Sequence, residues 1–237
     1  MRTPTRPRND VRQYDDLAGE WWRPGGQFAM LHWIARARAA LVPPAGRPGA
    51  VLVDLGCGGG LLAPHVAGKG YRHVGVDLVA SALRQAGAHG IEPVRADVTG
   101  LPLADGCADV VSAGELLEHV TDLRGTVAEA CRILRPGGTL VLDTLNDTAL
   151  SRFVAVTLAE RLPGVAPHGI HDPNLFVDRR VLVDECARHG VVLRTNGLRP
   201  QVGAMLRWLA TRRGEVRMVP DRITAVLYQG VGTKEAS

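Results

Sequence analysis

The sequence predicts a doubly wound α/β fold: an open, mostly parallel sheet with helices on both faces. Three observations carry this expectation. Apolar runs rich in β-branched residues alternate with short helical stretches from residue 50 to residue 145. Each run reaches the next through a helix, which is how parallel strands are joined. A glycine cluster follows the first run directly, where such sheets bind ligands.

The elements follow in order. Residues 11–42 read as helical, in two pieces broken at Pro24-Gly25-Gly26, with Phe28, Leu31, Ile34 and Leu41 at roughly helical spacing. Residues 43–49 form a Pro/Gly linker. Ala50–Leu55 has the continuous apolar character of a strand buried on both faces. A helix is expected from Leu61 to Lys69, stopped by Gly70. His73–Asp77 is the second strand, Ser81–His89 a helix ended by Gly90, and Ile91–Ala96 the third strand. Asp109–Ala113 is the fourth strand. The helix Asp122–Leu134 carries Leu123, Val127, Ala130 and Ile133 on one side and stops at Pro136-Gly137-Gly138. Thr139–Thr144 is the fifth strand. Later, Val181–His189 reads as helical, and Val191–Thr195 and Ile223–Gln229 as extended, giving seven strands.

Composition bounds the function. With 237 residues and 46% hydrophobic content, the chain reads as one globular domain over residues 11–237. Within it, 11–45 form an N-terminal helical cap, 46–145 a ligand-binding core, and 146–237 lid insertions and closing strands. Arg2, Arg6 and Arg8 alternate with Pro4 and Pro7, so residues 1–10 are expected to be a disordered basic arm. The net charge of +4 is too small, and too much of it lies in the arm, to suggest a nucleic-acid partner. No apolar run approaches the ~18 residues that span a bilayer. Cys57, Cys107, Cys131 and Cys186 show no close pairing, which fits reduced thiols in a cytoplasmic protein better than disulfides or zinc.

The informative segment is Asp54-Leu-Gly56-Cys-Gly58-Gly-Gly60, after a strand and before a helix. A dinucleotide fingerprint would need its third glycine at position 61, which is Leu61. The spacing is instead Asp-x-Gly-x-Gly-x-Gly. Asp77, with Leu78 beside it, ends the second strand 21 residues after Gly56, where an acid accepts hydrogen bonds from ribose hydroxyls. Asp97 and Val98 follow the third strand. A pyrophosphate wants free N–H groups at a helix start, whereas these carboxylates suit a zwitterionic ligand.

This loop resembles the first motif of class I S-adenosylmethionine methyltransferases, whose Rossmann-like fold the element order matches. The resemblance implies that S-adenosylmethionine binds Asp54, Gly56, Gly58, Gly60, Asp77 and Leu78, with Asp97 near the adenine amino group and Val98 beside the ring. Two further segments resemble the ubiquinone-pathway O-methyltransferases: Trp21-Trp22-Arg-Pro24-Gly-Gly26-Gln-Phe28, and Glu115-Leu-Leu-Glu118-His119-Val120 with Leu134-Arg-Pro136-Gly137-Gly138. That family methylates a catechol hydroxyl on a polyprenylated ring. The likeness implies that Arg38 clamps the cofactor's carboxylate, as a guanidinium fork suits one, and that Gly114 lines the pocket. Arg36 stands near enough to serve instead, or Arg38 could be an ordinary solvated position. The family's Asn-Pro pair before this arginine is replaced by Ala35-Arg36, which leaves the ring substrate open between a prenylated quinone precursor and another aromatic small molecule.

Glu115, Glu118 and His119 follow the fourth strand. On a continuous helix they would share one face and could hold Mg²⁺ or Mn²⁺, lowering the pKa of a phenol that is otherwise ~10. Alternatively, His119 or His171 is a metal-free general base, or Glu118 and His119 merely bond the backbone at a helix start. Residues 150–167 and 201–213 are apolar insertions interrupted by arginines. They are candidate lids, and by resemblance could admit a prenyl tail and contact a membrane surface. The competing functions are transfer to nitrogen or carbon of a natural product, methylation of RNA or protein, and a non-catalytic S-adenosylmethionine-binding module. The last would be expected to lose the polar residues Glu115, Glu118, His119 and His171.

Overall fold

The computed structural model describes residues 6–162 and 165–236. Among these residues one sheet of eight strands runs in the order β3-β2-β1-β4-β5-β8-β6-β7. The strands are β1 (Val51–Leu55), β2 (Arg72–Asp77), β3 (Glu92–Arg95), β4 (Ala108–Gly114), β5 (Leu134–Leu145), β6 (Val191–Pro200), β7 (Met218–Asp221) and β8 (Leu227–Lys234). The first five are parallel to one another, whereas β8 is antiparallel to β5 and β6, and β7 to β6. The expected architecture holds, with one strand more than the seven read from sequence. The additional strand, β7, is four residues long and contains Pro220. Proline removes a ladder donor and argues against a strand, yet it is tolerated at a sheet edge, where β7 lies. The opposite edge, β3, likewise carries Pro93.

The helices are α1 (Arg12–Asp16), α2 (Ala29–Ala39), α3 (Ala63–Val66), α4 (Ala80–Ala88), α5 (Leu123–Ile133), α6 (Ala149–Arg152), α7 (Arg179–Arg188) and α8 (Val202–Thr211). Side chains alternate across β1. Val53 and Leu55 join Val127, Ile133 and Leu182 of α5 and α7 on one face, while Leu52 packs with Ala39, Leu62 and Val66 on the other. Each such side chain contributes roughly 1.5–3 kcal/mol on burial. Asp122 and Asp178 fix where α5 and α7 begin, their carboxylates accepting from the Gly125 amide and from the Arg180 and Val181 amides.

The expected lid over residues 150–167 is α6 continued by a π-helical turn, Phe153–Leu158, and a 3₁₀ turn, Ala159–Arg161; residues 163 and 164 lie outside the described residues. The second candidate lid is α8, whose Trp208 is buried edge-on against Trp33. The expectation of a disordered arm is corrected for residues 6–10, which pack across the molecule: the Asn9 amide donates to the Gly169 carbonyl at 3.0 Å, and Arg8 pairs with Glu160 at 3.0 Å. Residues 1–5 lie outside the described residues. Proline and like charge oppose a core, but not a strap held by polar partners.

The strand order reverses between β1 and β4, with β2 and β3 to one side and β5 to the other. Open sheets bind ligands outside the carboxyl ends of the strands at such a point.

Candidate active site

A cavity of about 700 Å³ opens there, within the size range of small-molecule and cofactor sites. Its floor is Asp54, Gly56 and Gly58 after β1, Asp77 and Leu78 after β2, and Gly114 and Glu115 after β4. Asp97 and Val98 close one end. Residues 7–12 and 165–171 close the other, joined by the Asn9 and Arg8 contacts.

The glycine loop is built for close approach. At Gly58 (φ 51°) a Cβ would fall 2.4 Å from the Trp21 ring, and at Gly59 it would fall 2.6 Å from the same side chain. Trp21 therefore lies on the loop's backbone, itself stacked on Phe28 at 4.2 Å between centroids. Trp22 reaches the same loop, its indole N–H donating to the Gly59 carbonyl at 2.9 Å. The paired tryptophans thus brace the loop, a role that the sequence did not disclose. The Trp21 indole nitrogen is buried without a partner in the cavity wall. Gly60 corrects an expectation: it does not line the cavity. A Cβ there would meet the Ala86 Cα at 2.9 Å, so Gly60 lets α4 approach.

Asp77 accepts from the Gly58 amide and the Val79 amide, both at 2.8 Å. Burial nevertheless raises its pKa, which backbone donors only partly offset. Two carboxylate oxygens offer about four acceptor sites, so capacity is left for hydroxyl donors. Asp97 is exposed and holds its own loop through Thr99.

Arg38 is buried, not a solvated position. It lies against Gly114, and its Nη1 donates to Asp143 Oδ1 at 2.6 Å. Burial disfavours its charge, but Asp143 and Asp54 more than compensate, so it stays cationic. Its Nε has no partner. Arg36, the alternative, is exposed and pairs with Glu215. Asp143 is an acid missed by sequence reasoning; the only signal was a carboxylate inside the apolar run Leu140–Leu145.

The stretch Gly114–His119 departs from the helical expectation. Glu115 takes a left-handed conformation (φ 49°), and only Leu117–His119 form a 3₁₀ turn. The i, i+3, i+4 face therefore does not form. Glu115 lines the cavity with Oε1 unpartnered, and its carboxyl is raised by burial, then by Glu118 and Asp143. Glu118 is fully buried outside the cavity lining, accepting from the Thr144 hydroxyl at 2.7 Å. Its pKa is pushed up to about 7 by burial, against the Thr144 bond. As it stands, Glu118 backs the turn and does not face the cavity, contrary to the expectation that it lines the catalytic site. Among the described residues, no three His, Cys, Asp or Glu side chains gather closely enough to hold a metal ion as they stand.

His119 and His171 both line the cavity, their rings 5.6 Å apart and nearly parallel. Burial, then the neighbouring His171, lowers the His119 pKa to about 3. Its Nδ1 is 2.7 Å from Asn9 Oδ1, while the Asn9 amide nitrogen donates to the His119 carbonyl at 2.9 Å. His171 lies beside Glu160, which also accepts from Arg8.

Known proteins show the same arrangement of sequence. Residues 53–142 match the family model for a methyltransferase domain. The ubiquinone biosynthesis O-methyltransferase of Cupriavidus pinatubonensis is 35% identical over 185 residues, covering 73% of this chain and 74% of that protein. That of Thiobacillus denitrificans is 36% identical over 179 residues, covering 71% and 76%. The chain belongs to the ubiquinone biosynthesis O-methyltransferase family. It is an S-adenosylmethionine-dependent O-methyltransferase. A solved methyltransferase from Thermotoga maritima, described as a possible histamine N-methyltransferase, shares the fold at 17% identity, with a TM-score of 0.65 over 95% of this chain and 96% of its own.

The cavity fits the methyl donor that this family uses. The buried, unpartnered Arg38 Nε and Trp21 Nε1 are donors suited to a carboxylate or other acceptor. Asp54 and Asp77 are acceptors suited to ammonium and hydroxyl groups. All four residues line the one cavity.

Proposed function

We propose that this O-methyltransferase acts on a phenolic hydroxyl of an aromatic small molecule, and that a catechol-type quinone precursor is its acceptor. The relatives' printed names support the acceptor. The observation that carries the chemistry is the placement of His119: its imidazole lines the cavity wall, five residues from Gly114, with the His171 ring 5.6 Å away.

Arg38 would hold the donor's carboxylate, Asp54 and Gly56 its amino acid end, Asp77 its ribose hydroxyls, and Asp97, Val98 and Leu78 its adenine. S-adenosylmethionine supplies an electrophilic methyl group. The protein's task is to hold the attacking oxygen in line, about 3 Å from that carbon, and to exclude water. Val165, Ala166 and Ile170 give the acceptor side an apolar cover.

His119 receives the phenol's proton. At a pKa of about 3 it is neutral at pH 7. Against a phenol at ~10, transfer before reaction is uphill by roughly 7 units, on the order of 10 kcal/mol. The oxygen turns strongly acidic as it donates its electron pair, so a weak, correctly placed base suffices late in the step. His171, stacked on His119, orders it. An S-adenosylhomocysteine-release assay with a short-chain prenylated catechol and simple catechols tests this. Turnover that falls by at least ~10²-fold in His119→Gln supports it; undiminished turnover in that variant removes His119 as the base. Absence of turnover on every catechol moves the acceptor to another class.

A divalent ion is the second function for this stretch, favoured by one observation: Glu115 and Glu118 each bury one carboxylate oxygen without a partner. A cation held by Glu115, Glu118 and His119 would relieve those charges and acidify a bound phenol. The side chains would first have to turn toward one another. Loss of activity in EDTA and recovery with Mn²⁺ would favour this arrangement over the metal-free one.

No helix among the described residues is long and apolar enough to cross a membrane. Peripheral contact is proposed instead, through Leu150, Phe153 and Leu158 near the lid and Val202 and Leu206 on α8, all exposed and flanked by arginines. Co-sedimentation with anionic vesicles supports it, and full retention in the supernatant refutes it.

A further inference from the structure

The cavity wall holds two buried groups that can only donate a hydrogen bond and that have no partner among the described residues: Trp21 Nε1 and Arg38 Nε. A buried indole N–H ordinarily finds an acceptor. The room left by Gly58 and Gly59 explains where the Trp21 ring lies, but not why the ring is an indole. A phenyl ring would also cover the loop. The polar edge calls for an acceptor brought by a ligand, and its position says which one. The six-membered ring lies against Gly58, and Cγ and Cβ lie against Gly59, so the indole runs along the backbone of the turn after β1. That turn, with Asp54 and Arg38, receives the amino acid end of the methyl donor, whereas ribose and adenine belong with Asp77, Asp97 and Val98. The amino acid end carries an ammonium, which only donates, and a carboxylate, which accepts through two oxygens. One oxygen suits the charged Arg38, the other the neutral indole N–H.

We propose that Trp21 binds the methyl donor's carboxylate, its indole N–H donating to one oxygen while the Arg38 guanidinium holds the other. This rests on the reading of the cavity as an S-adenosylmethionine site with Arg38 at the carboxylate. It adds to that site a residue from the segment before α2, outside the glycine loop and the strand-end acids.

The indole is held in place without using its nitrogen. Phe28 stacks on it at 4.2 Å, Tyr14 lies nearly parallel to it at 6.0 Å, and the Trp21 carbonyl accepts from His32 Nε2 at 2.8 Å. Arg38 is likewise fixed through Nη1, which donates to Asp143, so its Nε remains for a ligand. The neighbouring indole is already committed, Trp22 Nε1 donating to the Gly59 carbonyl at 2.9 Å. The two adjacent tryptophans thus divide two tasks: Trp22 braces the loop, and Trp21 reads what the loop binds. A hydrogen bond to a carboxylate is charge-assisted and stronger than one between neutral groups, so its loss is measurable.

Two ligands isolate the carboxylate: S-adenosylhomocysteine, and its decarboxylated analogue S-adenosyl-3-thiopropylamine, which keeps the adenosine, the sulfur and the amine. Trp21→Phe retains an aromatic cover over the loop and removes the N–H. By calorimetry its Kd for S-adenosylhomocysteine is expected to weaken about tenfold, the effect of one hydrogen bond to a charged group. Its Kd for the analogue is expected to stay within about twofold of wild type. Equal weakening for both ligands overturns the proposal and leaves Trp21 as a support of the loop alone; unchanged affinity for both overturns it as well. The wild-type protein gives a second readout that needs no variant. Its four tryptophans give four indole N–H resonances, and that of Trp21 is assigned through its contact with Phe28. This proton is expected to move downfield with S-adenosylhomocysteine and much less with the analogue. The same movement with both ligands overturns the proposal. Failure of the wild-type protein to bind S-adenosylhomocysteine at all would overturn the cofactor reading itself, so the two failures are distinguishable.

Discussion

The guanidinium of Arg38 and the carboxylate of Asp143 form a buried pair, Nη1 to Oδ1 at 2.6 Å, directly beneath the cavity floor. Asp143 Oδ1 also accepts from the Glu115 amide at 3.1 Å, so one carboxylate fixes both Arg38 in the cavity wall and the turn leading to His119. Removing one partner of such a pair strands a buried charge and costs about 3–5 kcal/mol. Asp143→Asn is accordingly expected to lose about that much stability in urea denaturation. A loss below about 1 kcal/mol would mean that Asp54, the other anion near Arg38, already compensates it.

Gly114 is small because Arg38 occupies the space where a side chain would stand. A Cβ at this position would lie 1.5 Å from Arg38 Nη1. Gly114→Ala must therefore displace the guanidinium. Its expected effect is at least a tenfold weaker Kd for S-adenosylhomocysteine by calorimetry, equal to about 1.4 kcal/mol. Unaltered affinity in a folded Gly114→Ala protein would remove Arg38 from the cofactor site.

The legible parts of this site are those whose chemistry is local in sequence. Asp54, Gly56, Gly58, Asp77 and Asp97 stand at strand ends, and strand ends can be located from apolar periodicity. Asn9, Asp143 and Glu160 act across separations of 110, 105 and 152 residues to His119, Arg38 and Arg8. No local pattern encodes those meetings. Local pattern also misled at Glu115-Leu-Leu-Glu118-His119: the spacing suits one helical face, but the left-handed backbone at Glu115 breaks it. The strap was misjudged for a related reason. Composition predicts whether a segment builds a core, not whether a few polar groups find partners on one built elsewhere.

Trp21 covers the glycine loop, so its removal should be felt in both stability and binding. Large-to-small truncation of a buried tryptophan costs about 3–5 kcal/mol. Trp21→Ala is expected to fall in that range by chemical denaturation. Trp21→Phe, which keeps the contact with Phe28 but loses the unpartnered indole N–H, is expected to retain most of the stability. Equal losses in the two variants would show that the indole's bulk, rather than its general apolar cover, supports the loop.

Glu160 gives the strap a pH dependence whose sign is fixed. Burial acts to raise its carboxyl, but the adjacent His171 ring, the Arg8 guanidinium and bonds from the Gly169 and His171 amides outweigh it and hold the pKa at about 2, below the ordinary 4.5. A carboxyl depressed in the folded state contributes stability that is complete above the unfolded value and lost as pH falls through the folded one. The contribution should thus be whole above about pH 5 and gone by about pH 2. Glu160→Gln lacks this titration, so the stability difference between wild type and variant should narrow across that window and close at its acid end. Chemical denaturation at half-unit pH intervals measures it. A difference that stays constant from pH 5 to pH 2 would show that Glu160 is held by packing rather than by its negative charge beside Arg8.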